Sequence, residues 1–555
     1  MSTLFRTKNL DQLQRDADLQ SEGGRHLKRS LGAFDVVMLG IGAIIGAGIF
    51  ATIGTAAAGD LARPGAGPAL ILSFVLTAIA CGFAALCYAE FAAMVPISGS
   101  AYTYSYATLG ELVAWIIGWD LIIEYAVGNV AVAISWANYF KTFVAGFGII
   151  IPDWISTDYR TAGKIPGLFE SAPHMFGVPI VFNLPAIAIV ALITIILVIG
   201  VRESARANAG MVVIKLIVLS VFVFVGFQYV KPANWTPFAP NGWAGVQAGA
   251  AIVFFAYIGF DAVSTVAEEV KNPKRDLPIG IIGSLIVCTI IYIIVAAVFT
   301  GIIPYDVLVK TLATSQAEPL TLALQYANIE KWGNFFVGLV AFGSVVAHTA
   351  VLLVFQMGQP RIFFSMSRDG LLPPVFSRIH PRFQTPHVST ILTGVAVGVC
   401  SMFTSIDEMV DLTNIGTLFA FVLVCIGIII LRKRDPNRPR SFKVAWVPLT
   451  PAWLFALYTL WGYDAMHPLT RIILMLISVM GLAGNIAALT QKLKGEPISD
   501  WLKTDLALAG VLSCVYLMDG LPGITWGRFG LWLLVGLVIY YFYGFRHSRL
   551  REKTK

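Results

Sequence analysis

Leu39-Gly40-Ile41-Gly42-Ala43-Ile44-Ile45-Gly46-Ala47-Gly48-Ile49-Phe50 lies in the first long apolar run of the chain. Glycine is a poor residue for a helix interior, costing about 1 kcal/mol against alanine. Glycine at 40, 42, 46 and 48 therefore predicts a helix that breaks in mid-course. The plainer reading of Gly42 and Gly46 is a close helix–helix contact through small residues. A dinucleotide fingerprint is weak, because position 45 is isoleucine and no strand precedes the run. A second unusual stretch, Phe254-Phe255-Ala256-Tyr257-Ile258-Gly259-Phe260-Asp261, falls in the sixth apolar run, roughly 210 residues later. Two interruptions at matching positions favour a binding site over simple packing.

Composition says what solvent surrounds these helices. Of 555 residues, 57% are apolar and 13% charged, and the mean hydropathy is +0.76. A soluble chain carries roughly 25% charged residues. Half that value cannot cover a globular surface, which excludes a soluble enzyme, a disordered chain and a fibre. No polar linker divides the apolar runs, so one polytopic membrane domain is predicted. The net charge of +7 is not a nucleic-acid signal, because the basic residues stand in short clusters between apolar runs. The six cysteines lie inside apolar runs and form no CxxC or Cys/His cluster. No metal, disulfide framework or cofactor is expected.

A membrane helix needs about 20 mostly apolar residues. On that measure fourteen spans are predicted: 34–57, 68–94, 113–139, 181–200, 208–229, 243–265, 279–302, 333–357, 388–405, 412–431, 447–465, 470–489, 504–518 and 527–545. The spans at 447–465 and 504–518 are short or broken by proline and charge. The first 32 residues lack an apolar segment, so no cleaved signal peptide is expected. With a cytosolic N-terminus, every basic cluster falls on one side. Examples are Arg25-Lys28-Arg29, Lys271-Lys274-Arg275, Arg432-Lys433-Arg434 and the Arg546–Lys555 tail. Omitting any one span would put some clusters on the wrong side, so the positive-inside rule supports the count and cytosolic termini.

Each break opens a set of five spans. Five is odd, so the second set runs inverted relative to the first, and interrupted helices in two inverted halves point to a transporter binding site.

Several stretches resemble the amino acid/polyamine/organocation (APC) permeases, and within them the cationic amino acid transporters. They are Leu27–Ala33, Gly40–Phe50, Glu124-Tyr125-Ala126-Val127-Gly128, Ala256–Asp261 and Ala267–Pro273. Gly358–Ile362, Arg368–Leu371 and Gly536–Tyr540 complete the set. The resemblance implies an all-α membrane protein with a LeuT-like 5+5 inverted-repeat core. The core would occupy 33–432, with repeats at 33–230 and 243–432. Four further helices would fill 433–545, between cytosolic tails at 1–32 and 546–555. Residues around 452–503 look like an insertion relative to bacterial members.

A zwitterionic amino acid needs an anion site and a cation site a few ångströms apart, and broken helices offer both. The segment after the first break presents free N–H groups and a positive dipole end. Gly46, Ala47 and Gly48, with Ile44 at the rim, would hold the carboxylate. The segment ending at the second break leaves carbonyls free, and Phe254, Phe255 and Ala256 would hold the ammonium. Matching the family adds Ile258 and His348 on the side-chain face. For a lone membrane histidine, hydrogen-bonded packing is the competing reading. A threonine often found in relatives is Ala47 here, which removes one gate hydrogen bond.

Lys215 is the one Lys or Arg in the interior of a predicted span, since Arg471 and Arg528 stand at span ends. A mid-membrane charge costs at least about 2.5–3.5 kcal/mol on insertion scales. Snorkelling to the cytosolic surface is the bland reading. In proton-coupled relatives a fifth-span lysine stands where sodium-coupled ones hold an ion, so the resemblance makes Lys215 a proton-coupling residue. Glu124 is placed beside it in that role, and Asp120, one turn before, shares its face. Structural acceptor roles are the alternative for both carboxylates. Asp261 is expected to cap the following half-helix, and Asp261 and Tyr292 are expected to be structural or gating residues.

The sequence thus predicts a secondary amino acid permease, not an enzyme, importing L-amino acids by proton symport. The expected partners are the amino acid, a proton and the lipid bilayer, without nucleic acid. A bacterial inner membrane is the expected location. An obligate exchanger with a permanently charged Lys215 is the alternative. A channel should show rings of pore charges and a sensor an appended soluble domain, and neither is present in the sequence.

Overall fold

The computed structural model describes residues 6–8, 31–94, 100–200, 205–314, 318–330, 332–462 and 466–552. Leu27–Ser30 of the first resemblance stretch lies outside them. So do Arg25, Lys28, Arg29, Arg202, Lys331, Lys553 and Lys555, and most of the 1–32 tail.

Fourteen apolar helices follow one another. Eleven are long and apolar enough to cross a membrane among the described residues. They are α1 (Ala33–Ala58), α2 (Gly67–Met94), α3 (Glu111–Ala145), α5 (Ala209–Phe227), α6 (Gly242–Ser264), α7 (Pro273–Ile302), α8 (Gly333–Arg368), α10 (Ile406–Arg434), α12 (Pro468–Leu493), α13 (Asp500–Asp519) and α14 (Gly523–His547). Between them stand three shorter apolar helices, α4 (Leu184–Ile199), α9 (His387–Phe403) and α11 (Thr450–Gly462). At 1.5 Å per residue, even the 17 residues of α9 fall short of a ~30 Å hydrocarbon core. Eleven long helices and three shorter apolar ones thus stand where fourteen spans are predicted. The only paired strands among the described residues are the two-residue strands His174–Met175 and Val178–Pro179.

Local chemistry sets the helix ends. In α4 the Asn183 side chain accepts the Ala186 N–H at 3.1 Å, and Gly200 closes the helix in a left-handed conformation, φ +79°. Proline at the first position of α7 lacks an N–H that would have no helical partner anyway.

The helices pair across the two halves. α2 packs on α7, α3 on α8, α4 on α9, and the break of α1 on the break of α6. The cross-pairs match as well: α5 touches α1, α7 and α8, while α10 touches α6, α2 and α3. Each of these contacts in one half has its counterpart in the other, as a two-fold axis between inverted repeats requires. The most apolar stretch of α6 is buried throughout, and α1 is nearly so, whereas α12 and α14 expose most of theirs. The broken helices are therefore central, and the late helices form the lipid-facing rim. Of these, α13 packs on α10 and α2, and α14 on α10 and α3.

Candidate functional site

The first helix unwinds where the glycines predicted. Its regular first half ends at Ile44, and Ile45 is extended at φ −75°, ψ 104°. The chain re-enters a helix through a π-helical turn, Gly48–Thr52. Carbonyls freed at a helix end in a membrane must find donors. Here Lys215 of α5 donates to the carbonyls of Gly42 and Ile45 at 2.8 and 2.9 Å. Tyr292 of α7 donates to the Ile44 carbonyl at 3.1 Å, and Tyr139 of α3 to the Phe50 carbonyl at 2.6 Å.

The second helix tightens into a 3₁₀ turn at Phe254–Tyr257 and then unwinds. Ile258 is extended, and Gly259 sits at φ +119°, a conformation that side chains resist. A Cβ on Gly259 would also lie 2.8 Å from the Ala43 carbonyl oxygen. A 3₁₀ run, Asp261–Glu269, follows. Asn414 of α10 donates to the carbonyls of Ala251 and Ile252, in the last turn before the break, at 2.7 and 3.2 Å.

The two breaks touch. A Cβ on Gly48 would sit 2.1 Å from the Ala256 Cα, so glycine is required there for break-on-break packing. The sequence reading had assigned that space to a ligand. A Cβ on Gly46 would meet the Val351 side chain of α8 at 2.5 Å. Ile44, Ala47, Phe254, Phe255, Ala256 and Ile258 are all buried, as are Gly46 and Gly48. The predicted set is thus gathered where the two breaks meet in the buried core.

His348 is held from both edges. Its Nδ1 lies 2.6 Å from the Ser344 carbonyl oxygen and its Nε2 2.7 Å from Ser135 Oγ. A carbonyl only accepts, so Nδ1 carries the proton and donates. In the neutral ring Nε2 then accepts from Ser135. The ring packs near Phe50 and Tyr139, with centroids 5.8 and 5.7 Å away. His348 therefore fixes α3 to α8 beside the first break, with both nitrogens engaged by protein.

Lys215 does not snorkel. Its side chain is fully buried and its ammonium points at the α1 break. Glu124 lies in a π-helical turn of α3, Ile123–Val127, facing Asp261 and Thr417. Such turns recur at functional sites. No oxygen of Asp120 or Glu124 accepts a hydrogen bond in good geometry among the described residues. The Asp261 carboxylate stands near the N–H groups of 259, 261 and 262 and accepts from the Tyr125 hydroxyl at 3.4 Å. Asp261 is the first residue inside the 3₁₀ run, whose N-cap position is Phe260 and which has no side-chain cap hydrogen bond, so the expected cap is not made.

Sequence reasoning missed Asn414, Ser135 and an ion pair at the far end of α1. Arg63 donates to both oxygens of Asp411 on α10, at 2.8 and 3.1 Å, and also binds Asp60. Asn414 had one available signal: it is an amide within the apolar part of the helix that the repeat pairs with α5. A cavity of about 740 Å³ between α5 and α8, lined by residues such as Val213, Phe224 and Phe336, includes none of the break residues and belongs to the lipid-facing surface.

Comparison with known proteins agrees with this architecture. Residues 31–483 match the family described as amino acid permease, and 506–548 match the C-terminal segment of such permeases. The chain is 42% identical to the branched-chain amino acid permease of Bacillus subtilis over 550 residues, 99% of each chain. It is 40% identical to the methylthioribose transporter of the same organism over 552 residues, the full length of both. It is 30% identical to the vacuolar cationic amino acid transporter 4 of Arabidopsis thaliana, covering 100% of this chain and 97% of that one. Because the first alignment runs through 452–503, that segment is not an insertion relative to the bacterial permease. With the matched family covering most of the chain and the inverted, twice-broken helix core on view, this protein belongs to the amino acid permease family of the APC superfamily.

Proposed function

We propose that this protein is a secondary active permease that moves L-amino acids by alternating access, with proton coupling through Lys215. The observation that carries the reading is the meeting of two helix breaks from inverted halves in the buried centre. One break offers amide N–H groups at Gly46, Ala47 and Gly48, and the other offers carbonyls at Phe254, Phe255 and Ala256. Carboxylate and ammonium of one amino acid complement that pair of helix ends. Binding requires the breaks to part slightly, since Gly48 and Ala256 are in contact.

Ile258 and the α8 face carrying His348 and Val351 would meet the substrate side chain. Neither Ile258, His348 nor Val351 brings an acidic group, and an unpaired buried charge costs several kcal/mol. Small or medium neutral side chains therefore suit the pocket better than arginine. The name of the Bacillus branched-chain permease supports this choice.

Lys215 would load and release a proton as the α1 break opens and closes around it. Glu124, with Asp261, would serve as the second proton-handling group on the α6 side. Tyr292 would steady the first break. The core is read as 33–432, with repeats 33–230 and 243–432, and the helices of 433–545 as its rim. The basic clusters support cytosolic termini for a protein held in the plasma membrane.

A second reading rests on the 40% identity to the methylthioribose transporter, whose named substrate is not an amino acid. Purified protein in liposomes separates the two. Uptake of each labelled amino acid and of labelled methylthioribose is measured with and without an acid-outside gradient. Gradient-driven accumulation of a neutral amino acid is expected. Accumulation of the sugar alone would overturn the substrate assignment, and indifference to the gradient would favour exchange.

A further inference from the structure

Lys215 and Asn414 occupy the same place in the two halves of the molecule. Lys215 comes from the fifth helix and donates to the Gly42 carbonyl in the last turn of the first half-helix and to the Ile45 carbonyl at the break itself. Asn414 comes from the tenth helix and donates to two carbonyls in the last turn before the break of the sixth. The helices that carry them are counterparts, since α5 packs on α1 as α10 packs on α6. Both side chains are fully buried. The two latches thus share a helix pairing and a donor role, Asn414 acting ahead of the 3₁₀ turn that leads into its break, and they differ in chemistry: an ammonium that can lose a proton, and an amide that cannot.

The halves they hold also differ. The segment of α1 before its break begins at the side of the basic clusters, and the segment of α6 before its break begins at the opposite side. Asn414 therefore ties down the half-helix that closes the outer side. Its neighbours along α10 do related work. Asp407 accepts from Thr55 of α1 at 3.3 Å, and Asp411 holds Arg63 just past α1. Positions 407, 411 and 414 follow i, i+4, i+7 spacing and share a face of the helix. That face grips the outer halves of both broken helices.

We infer that Asn414 is a positioning residue for transport: the uncharged counterpart of Lys215, which latches the outer half of α6 to α10 and sets how readily the outer side opens. The inference rests on the alternating-access reading above. It follows that outer opening breaks only bonds that pH does not touch at this latch, whereas the matching inner latch contains a titratable group.

The test is a cysteine reporter, Ala248→Cys, on the buried outer half of α6. Labelling by a membrane-impermeant maleimide is followed in oriented proteoliposomes, with the protein lacking the reporter as background. Losing two buried hydrogen bonds shifts such an equilibrium by roughly tenfold. Asn414→Ala is therefore expected to raise labelling about that much, Asn414→Gln to return it toward wild type, and Lys215→Ala, which loosens the inner latch, not to raise it. The pH profile of labelled L-leucine uptake should keep its wild-type shape in Asn414→Ala. Should Asn414→Ala fail to insert, Asn414→Ser carries the same expectations. Equal labelling with and without the Asn414 amide would overturn the inference. So would an equal rise in Lys215→Ala, which marks general loosening. Labelling does not depend on which solute is carried, so a wild type that ignores leucine would count against the substrate reading alone.

Discussion

The first and second breaks solve one problem with different materials. Each must satisfy carbonyls in a place without water, where an unpaired polar group costs several kcal/mol. The first is built from glycine and alanine and borrows its donors from Lys215, Tyr292 and Tyr139. The second is built from aromatics and borrows from Asn414. Its inner side carries the Asp261 and Glu124 carboxyl groups, whereas the first break has an ammonium. Repeat symmetry therefore supplies the geometry, while the residues that fill it differ between the halves.

The largest expected effect comes from forcing the two breaks apart. Gly48→Ala places a methyl on the Ala256 backbone, and overpacking of that kind costs about 1–3 kcal/mol or more. Transport of L-leucine should fall by roughly ten- to a hundredfold, at unchanged membrane insertion. Wild-type uptake in that variant would mean that the breaks are not in contact in the working protein.

Lys215→Ala sharpens the contrast between charged and neutral latches. Accumulation driven by an acid-outside gradient should be lost, because the group proposed to carry the proton is gone. Accumulation that still follows the gradient would move coupling elsewhere, with Glu124 as the first place to look. Glu124→Gln, by the same logic, should slow gradient-driven uptake more than downhill exchange.

His348→Ser should act less on rate than on selectivity. It removes a ring from beside Phe50 and widens the side-chain face. Competition by L-arginine relative to L-leucine is expected to rise by a few-fold, the scale of about 1 kcal/mol in a pocket. No change in the ratio would show that the ring is only a strut between α3 and α8.

The smallest effect lies outside the membrane. Glu318 borders the short helix Pro319–Tyr326, which packs on the π-helical turn of the first break. Burial pushes its carboxyl up to about 7, against the Thr142 hydroxyl and Lys141, which both favour the charge. A carboxyl with a raised pKa binds its proton more tightly in the fold, so its contribution is most favourable below its ordinary value of 4.5 and is lost as pH rises toward 7. The melting temperature of Glu318→Gln should therefore vary less than that of wild type between these limits. Parallel curves would remove Glu318 from the pH response.

Much of this was legible in the chain itself. Apolar runs gave the helices, because crossing lipid demands length and hydrophobicity together. Crowded glycines gave the first break, and Lys215 betrayed itself as a charge where none is tolerated without purpose. The weakness of α11 showed in its proline-broken run, but the short helices α4 and α9 were not legible as short, since an apolar run does not reveal where it leaves helical geometry. The anchoring of His348 depends on Ser135, 213 positions away, and no local pattern connects them. Asn414 became visible only once α5 and α10 could be seen as counterparts. The Gly48 contact with Ala256 likewise joins residues that only the folded repeats bring together.

The most direct measurement asks whether both ends of a zwitterion are read. Labelled L-leucine bound to the purified protein is challenged with unlabelled L-leucine, with L-leucine methyl ester, which lacks the carboxylate, and with 4-methylpentanoate, which lacks the ammonium. Two helix ends of opposite polarity predict that leucine displaces the label and that neither analogue does so at the same concentration. Displacement by either analogue as effective as that by leucine would contradict a site built from the two breaks.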